Sequence, residues 1–115
     1  MIKTYYHATD ERNLNSILSQ GLIPSLGPRS IKAAEPRELI FLFRSKNDLK
    51  NSLYNWLTVE FTEYTDAKAL AILEINIPED DDIEIVADCS VADFEAYCDQ
   101  VIPPKYITHI CNIDL

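Results

Sequence analysis

The apolar residues of this chain follow two kinds of spacing, and each predicts a different element. Two stretches carry an apolar residue every three or four positions, which places those side chains on one face of an α-helix. The first helix is predicted to begin after Asp10, whose carboxylate can cap it, and to close at Gly21, which suits a left-handed conformation. The second is predicted over 46–57, where Ser45 and Asp48 make a start similar to a capping box.

Short apolar runs predict six strands. They lie at 2–7, 39–43, 70–77, 83–87, 95–101 and 107–113. Residues 24–38 contain three prolines and a glycine, which predicts a long loop. Because the two helices come early and four of the strands come late, the order predicts one α+β domain over 1–115, with a mostly antiparallel sheet.

Composition narrows the function. Ten basic against nineteen acidic residues give a net charge of −9. Binding to a nucleic-acid backbone requires a basic surface, so we expect no direct nucleic-acid partner. The negative charge is compatible with a basic protein partner, with a small-molecule ligand, or with a role in solubility alone. The acidic run at 79–82 is expected to be a solvated turn, since it lacks the spacing and glycine of a calcium loop.

Other classes are also disfavoured. No apolar run approaches the ~20 residues of a membrane span, and no signal-peptide core follows Met1, so we expect a cytoplasmic protein without a membrane partner. Three cysteines without a CxxC pair indicate reduced thiols. The two histidines form neither HxH nor HExxH, so no metal site is expected.

Five residues are candidates for chemistry, and each also has a structural interpretation. His7, at a strand end, could donate a hydrogen bond to a ribose or be satisfied by backbone; Thr9 could bind beside it or cap the helix. Phe41 could offer its face to an aromatic ligand or belong to the core. Arg29 could pair with phosphate or be solvated. Glu95 could stabilise a cationic transition state or lie exposed.

Three segments together resemble the ADP-ribosyltransferase fold. The opening Tyr-His-Ala-Thr at 6–9, the helix pattern Asn-Leu-x-x-Ile-Leu and Gln-Gly-Leu-Ile-Pro at 20–24 are similar to RNA 2′-phosphotransferases and DNA-modifying ADP-ribosyltransferase toxins. The segment 40–45, followed by a helix with Tyr54, looks like the motif whose strand carries an aromatic that stacks on nicotinamide. The segment 95–107 is similar to the last motif, in which a catalytic glutamate opens a strand leading to an Ile-Pro turn.

The resemblance implies NAD as substrate and two early helices packed on a mostly antiparallel split sheet. By this resemblance His7 is a catalytic residue, together with Glu95, and hydrogen-bonds a ribose of NAD. Phe41 replaces the stacking aromatic, usually a tyrosine. Glu95 holds the ribose 2′-hydroxyl and supports the oxocarbenium-like transition state, with Asp93 as a rival for that position. The other implied cofactor-binding residues are Thr9, Arg29, Ser45 and Tyr54.

The resemblance and the acidity together imply transfer of ADP-ribose to a protein target. The chain is also similar to the phage-encoded anti-CRISPR ADP-ribosyltransferase, which modifies a defence protein, and an acidic surface favours a basic, nucleic-acid-binding target. The alternative is a non-catalytic acidic binder or nucleic-acid mimic on the same fold. Nucleic-acid modification and RNA 2′-phosphate transfer are disfavoured, because Arg29, Arg37 and Arg44 are the candidate residues for holding a phosphate.

Overall fold

In the computed structural model, residues 1–25, 39–86 and 95–115 are described, and these parts contain two helices and five strands. The strands are β1 (Ile2–Asp10), β2 (Ile40–Phe43), β3 (Ala69–Pro78), β4 (Glu95–Cys98) and β5 (Ile107–Asp114). Helix α1 (Leu14–Gln20) follows a 3₁₀ turn at Glu11–Asn13. A second 3₁₀ turn, Pro104–Tyr106, precedes β5. The predicted α+β class is confirmed.

The second helix, α2, runs over residues 46–64 and is longer than the predicted 46–57. Its α-helical segments Lys46–Ser52 and Thr58–Tyr64 are joined by a π-helical turn at Leu53–Leu57. The Thr58 hydroxyl donates to the Leu53 carbonyl at 3.2 Å, five residues back. The cap at its start is as predicted: Ser45 Oγ accepts from the Asp48 amide at 3.0 Å. The helix continues because Phe61 extends the apolar spacing.

The five strands form one antiparallel sheet in the order β4-β2-β1-β3-β5. The pairing of β1 with β3 runs from Ile2 opposite Pro78 to Asp10 opposite Leu70. In contrast, β1 and β2 share a single aligned pair, Tyr6 and Phe43. The sheet is therefore continuous, not divided in two, but a narrow junction joins the β2–β4 pair to the other three strands.

The two helices lie on opposite faces of this sheet, because successive strand residues point to opposite sides. One face packs on α1, and its buried residues include Tyr5, Ile17, Leu42, Leu73 and Ile75. The other face packs on α2, and its members include Phe43, Leu49, Leu57, Leu70 and Ile72. Each helix thus buries its apolar stripe against a different layer of the core.

The predicted strand at 83–87 is wrong for the described residues 83–86. Ile83 and Ile85 pack against the core, which explains the apolar run. The backbone, however, makes only an isolated bridge between Val86 and Tyr97, and the Glu84 amide donates to the Gln100 side chain at 2.7 Å. The predicted loop 24–38 falls outside the described residues from position 26 onward.

Gly21 lies where the end of α1 contacts the backbone of the segment before β5. Its φ of +90° is the positive value predicted for the residue that closes the helix, and its amide donates to the Ile17 carbonyl at 2.8 Å. A Cβ added here would lie 2.3 Å from the Ile102 carbonyl oxygen. Leu22 and Ile102 exchange two backbone hydrogen bonds of 2.9 Å. The close approach of the two backbones therefore requires glycine.

Other features of the described chain agree with the sequence. The acidic run at 79–82 forms an exposed turn after β3, in which Asp81 accepts from the Ile83 amide at 3.0 Å and from the Tyr106 hydroxyl. Cys98 and Cys111 are free thiols, and burial raises the pKa of Cys98. Neither helix of the described residues has the length and apolar character that a membrane crossing requires.

Candidate functional site

A cavity of about 430 Å³ lies between β1, β2, the start of β4 and helix α2. Its volume falls in the range of small-molecule sites. The strands, with the residue just before β2, contribute His7, Ala8, Thr9, Asp10, Leu39, Phe41, Leu42, Phe43 and Glu95 to its wall. Helix α2 and the residue after it contribute Trp56, Leu57, Glu60, Phe61 and Thr65. The remaining described wall residues are Arg12, Asn13 and Ser25.

The junction between β1 and β2 explains how residues from both faces of the sheet reach one cavity. His7 lies opposite Leu73, so its side chain belongs to the α1 face, whereas Phe43 and its β4 partner Glu95 belong to the α2 face. A fully paired sheet would keep these side chains apart. Because pairing between β1 and β2 is limited to one position, the two sets meet where the strands separate.

His7 spans this junction with its side chain. Its Nδ1 lies 2.7 Å from the carbonyl oxygen of Phe41, and because a carbonyl only accepts, Nδ1 carries the proton. Burial lowers the pKa of His7, and the bond to Phe41 partly offsets this, so the neutral ring is favoured. In that tautomer Nε2 is an acceptor. The donor function expected for a ligand is thus already used by Phe41, and the ring offers a ligand an acceptor.

Glu95 and Thr9 are the buried polar residues of the described wall. Glu95 opens β4 opposite Phe43, and the residue is only 5% exposed. Thr9 is also buried, and its hydroxyl accepts a hydrogen bond from the Asn13 side chain at 3.2 Å. Both residues are therefore largely withdrawn from water before any ligand arrives, which favours their use in binding or catalysis.

Helix α2 supplies wall residues that the sequence did not reveal as site residues. Trp56 packs on Phe43, with ring centroids 6.3 Å apart and an angle of 44° between the planes. Glu60 lies four residues after Trp56, and Phe61 is next to it in the chain. A π-helical turn, often found at functional sites, changes the phase of the helix at this point. The helical spacing of Trp56, Leu57 and Phe61 was the available signal, but it equally describes core residues.

The charge of the described wall is mainly negative. Asp10, Glu60 and Glu95 stand against one cation, Arg12. The Arg12 guanidinium donates to Asp10, with Nε at 3.1 Å from its oxygens, and to Asp66, with Nη2 at 2.6 Å. These bonds hold the pKa of both aspartates below their ordinary value. Arg12 is thus shared by two carboxylates.

The structure brings together four of the residues predicted from the sequence, His7, Thr9, Phe41 and Glu95. Ser45 and Tyr54, also predicted as cofactor-binding residues, are not among the described residues that line this cavity. The Ser45 hydroxyl is engaged in capping α2, and Tyr54 is 95% exposed on the outer side of that helix. Both residues come soon after the strand segment 40–43 in the chain. Their side chains nevertheless lie outside the described wall, because Ser45 caps the helix and Tyr54 faces away from the cavity. Arg29, Arg37 and Asp93 lie outside the described residues.

Comparison of the chain with protein-family models, curated proteins and solved structures finds no match. Within the described residues, no group of three or more His, Cys, Asp or Glu side chains is arranged to hold a metal ion. A function is therefore inferred from the chemistry of the cavity.

The neutral state of His7 predicts how stability depends on pH. Because its folded pKa is below the ordinary ~6.5, the unfolded chain binds the proton more readily, and stability falls as pH drops below about 6.5. His7→Asn keeps a donor near the Nδ1 position and cannot titrate. We expect thermal unfolding midpoints measured between about pH 7.5 and 5.5 to fall less in this variant than in the wild type. His109→Asn, at an exposed position, is the control and should follow the wild type. Equal slopes for all three proteins would contradict the assignment.

Proposed function

We propose that the protein is an NAD-dependent ADP-ribosyltransferase that modifies a protein target. The observation that supports this best is the convergence of His7, Thr9, Phe41 and Glu95 in one cavity, although they come from three distant parts of the chain. These are residues to which the sequence resemblance gives roles in NAD binding and catalysis. The single sheet with its narrow junction is compatible with an ADP-ribosyltransferase-like arrangement, which is part of the same proposal.

The chemistry requires little from the protein beyond orientation and charge. Cleavage of the bond between nicotinamide and ribose builds positive charge on the ribose, and the fixed carboxylate of Glu95 would stabilise it. The Nε2 atom of His7 would accept a hydrogen bond from a ribose hydroxyl. The Phe41 ring would stack on nicotinamide. The hydrogen bond from His7 Nδ1 to the Phe41 carbonyl would hold the imidazole in a defined position relative to β2.

The charge of the wall suggests how NAD is oriented. The nicotinamide ring of NAD is cationic, and this end suits a cavity with Glu60 and Glu95 in its described wall. The pyrophosphate requires donors or cations, and Arg29 is the residue proposed for it. Under this arrangement the anionic half of NAD points away from the acidic wall.

The target is proposed to be a protein with a basic face. The net charge of −9 steers such a partner toward the chain, and a nucleic-acid-binding protein has the matching surface. A host defence protein, inhibited by a phage-encoded enzyme, is one target of this kind.

Binding of NAD tests the proposal directly. With NAD at about 100 times its dissociation constant, we expect stabilisation to approach ~2.7 kcal/mol, measured as a rise in the unfolding midpoint. His7→Ala should lose most of this rise, because it removes both the ribose acceptor and the tie to Phe41. The matched control is His109→Ala, which alters an exposed histidine bonded to Asn112.

The outcomes separate two classes of function. If millimolar NAD changes neither the unfolding midpoint nor the NMR signals around His7, the enzyme proposal is wrong. A chain that then still binds basic proteins would support the acidic binder built on the same fold. Binding of NAD that His7→Ala leaves unchanged would place the cofactor elsewhere.

A further inference from the structure

Helix α2 contains a π-helical turn, Leu53–Leu57, directly beside the cavity. We propose that Thr58 is a positioning residue for the ligand of this cavity. Its side chain holds the π-helical turn, and the turn keeps the ring of Phe61 directed at the bound molecule. The part of the test that uses NAD rests on the proposed function, whereas the part that uses fluorescence does not.

The apolar residues that recur at every fourth position of α2 pack in one core cluster. They are Leu49, Leu53, Leu57 and Phe61. Four residues make slightly more than one turn of an α-helix, so each step of four advances about 40° around the axis. In a straight α-helix Phe61 would therefore lie about 120° from Leu49, and the row would drift away from the core. The packing of both residues in one cluster requires a correction along the helix.

The π-helical turn supplies this correction. Its hydrogen bonds join residues five apart, so one turn takes up an extra residue compared with an α-helix. One residue corresponds to about 100° of rotation, which offsets most of the drift between Leu49 and Phe61. Phe61 consequently lines the cavity together with Leu57, a residue of the turn itself. The direction of Phe61 therefore depends on whether this turn is π-helical or α-helical.

Thr58 is placed to stabilise the π-helical form. Its hydroxyl donates to the Leu53 carbonyl at 3.2 Å, five residues back, which is the separation that defines a π-helical turn. In an α-helix a threonine hydroxyl instead bonds the carbonyl three or four residues back. Thr62 shows this ordinary pattern, since its hydroxyl donates to the Thr58 carbonyl at 2.7 Å. Thr58 lies outside the described cavity wall, so its effect on a ligand would pass through Phe61.

Fluorescence of Trp56 tests the role of Thr58 without any ligand. Trp56 is the one tryptophan of the sequence, lies within the π-helical turn and packs on Phe43 with ring centroids 6.3 Å apart. Thr58→Val removes the hydroxyl and retains the shape of the side chain. We expect the emission maximum of Trp56 to move to longer wavelength, because relaxation of the turn exposes the indole to water. Thr58→Ser should retain the wild-type emission, and Thr62→Val, which removes a hydroxyl bond of the α-helical type, is the matched control.

Steady-state kinetics with NAD measure the consequence for the site. We expect the KM for NAD of Thr58→Val to rise about 2- to 10-fold, the range that corresponds to the loss of one hydrogen bond. The value of kcat should change less, since His7 and Glu95 remain in place. Thr58→Ser and Thr62→Val should keep the wild-type KM.

Circular dichroism establishes whether each variant is folded. Wild-type emission in Thr58→Val would overturn the inference, and so would equal changes in Thr58→Val and Thr62→Val. A shifted emission with an unchanged KM would show that Thr58 holds the turn without positioning the ligand, which also overturns it. A Thr58→Val protein that does not fold, beside a folded Thr62→Val, would assign Thr58 to the fold and overturn a positioning role. If the wild type does not bind NAD, the proposed function fails, and the emission of Trp56 still decides whether Thr58 holds the turn.

Discussion

Replacing Glu95 with Gln is expected to slow ADP-ribose transfer by about 100- to 1,000-fold, the usual effect of removing one preorganised electrostatic contact from an active site. The substitution keeps the shape of the side chain and removes its charge. The buried position opposite Phe43 should therefore remain filled, and the fold should persist. The loss in rate would then report the missing stabilisation of positive charge on the ribose.

The assay is transfer of label from NAD to proteins of a host lysate, with circular dichroism of the same protein. Glu84→Gln is the matched control, because Glu84 is exposed and lies outside the described cavity wall. A folded Glu95→Gln protein with wild-type transfer would exclude Glu95 as the catalytic acid. Asp93→Asn would then be the variant to measure, since Asp93 was the rival in the sequence. An unfolded Glu95→Gln protein would show that the carboxylate is needed for the fold, against our expectation.

The largest effect on stability is expected from Gly21→Ala, a loss of roughly 3 kcal/mol or more. Two costs add here. The combination of φ +90° with ψ 179° is one that residues with a Cβ rarely adopt. The new methyl group would also lie 2.3 Å from the Ile102 carbonyl oxygen, an atom that accepts the Leu22 amide and has little freedom to move.

Denaturation in urea, followed by circular dichroism, measures this loss as a shift of the midpoint. Asn15→Ala lies on an exposed position of α1 and should change the free energy of unfolding by no more than about 0.5 kcal/mol. A Gly21→Ala protein as stable as the wild type would mean that the α1 end and the segment before β5 can separate at little cost.

Local rules predicted the elements of this fold well. Caps and apolar spacing located α1 and the start of α2, because both depend on neighbours in the chain. The end of α2 was missed because Phe61 was not counted as part of its apolar stripe. At 83–87 the rule failed for the described residues because Ile83 and Ile85 pack like strand residues while the backbone pairs only at Val86. An apolar run in a sequence indicates that its side chains are buried, but it does not indicate whether the backbone makes the hydrogen bonds of a strand.

The site was predicted only in part, and the reason is non-local. His7, Thr9, Phe41 and Glu95 could be named from their positions in the motifs, but their meeting depends on a narrow junction that no local pattern encodes. Glu60 and Phe61 were not anticipated, because their direction depends on a π-helical turn. Ser45 and Tyr54 were named because they are close in sequence to a motif, but that closeness does not bring their side chains into the cavity.

The strand order also has a consequence for how the chain folds. The middle of the sheet is built from β1 and β3, which are far apart in the chain. The pairing of Ile2 with Pro78, for example, can form only after the chain has been synthesised as far as Pro78. Both edge strands, β4 and β5, come later still in the chain. Pairings between such distant residues slow folding, so we expect milliseconds to seconds, as for sheets of high contact order. During synthesis, the pair between Tyr6 and Phe43 is the one aligned pair that the strands before β3 offer to β1, so most of β1 would remain unpaired until β3 has left the ribosome.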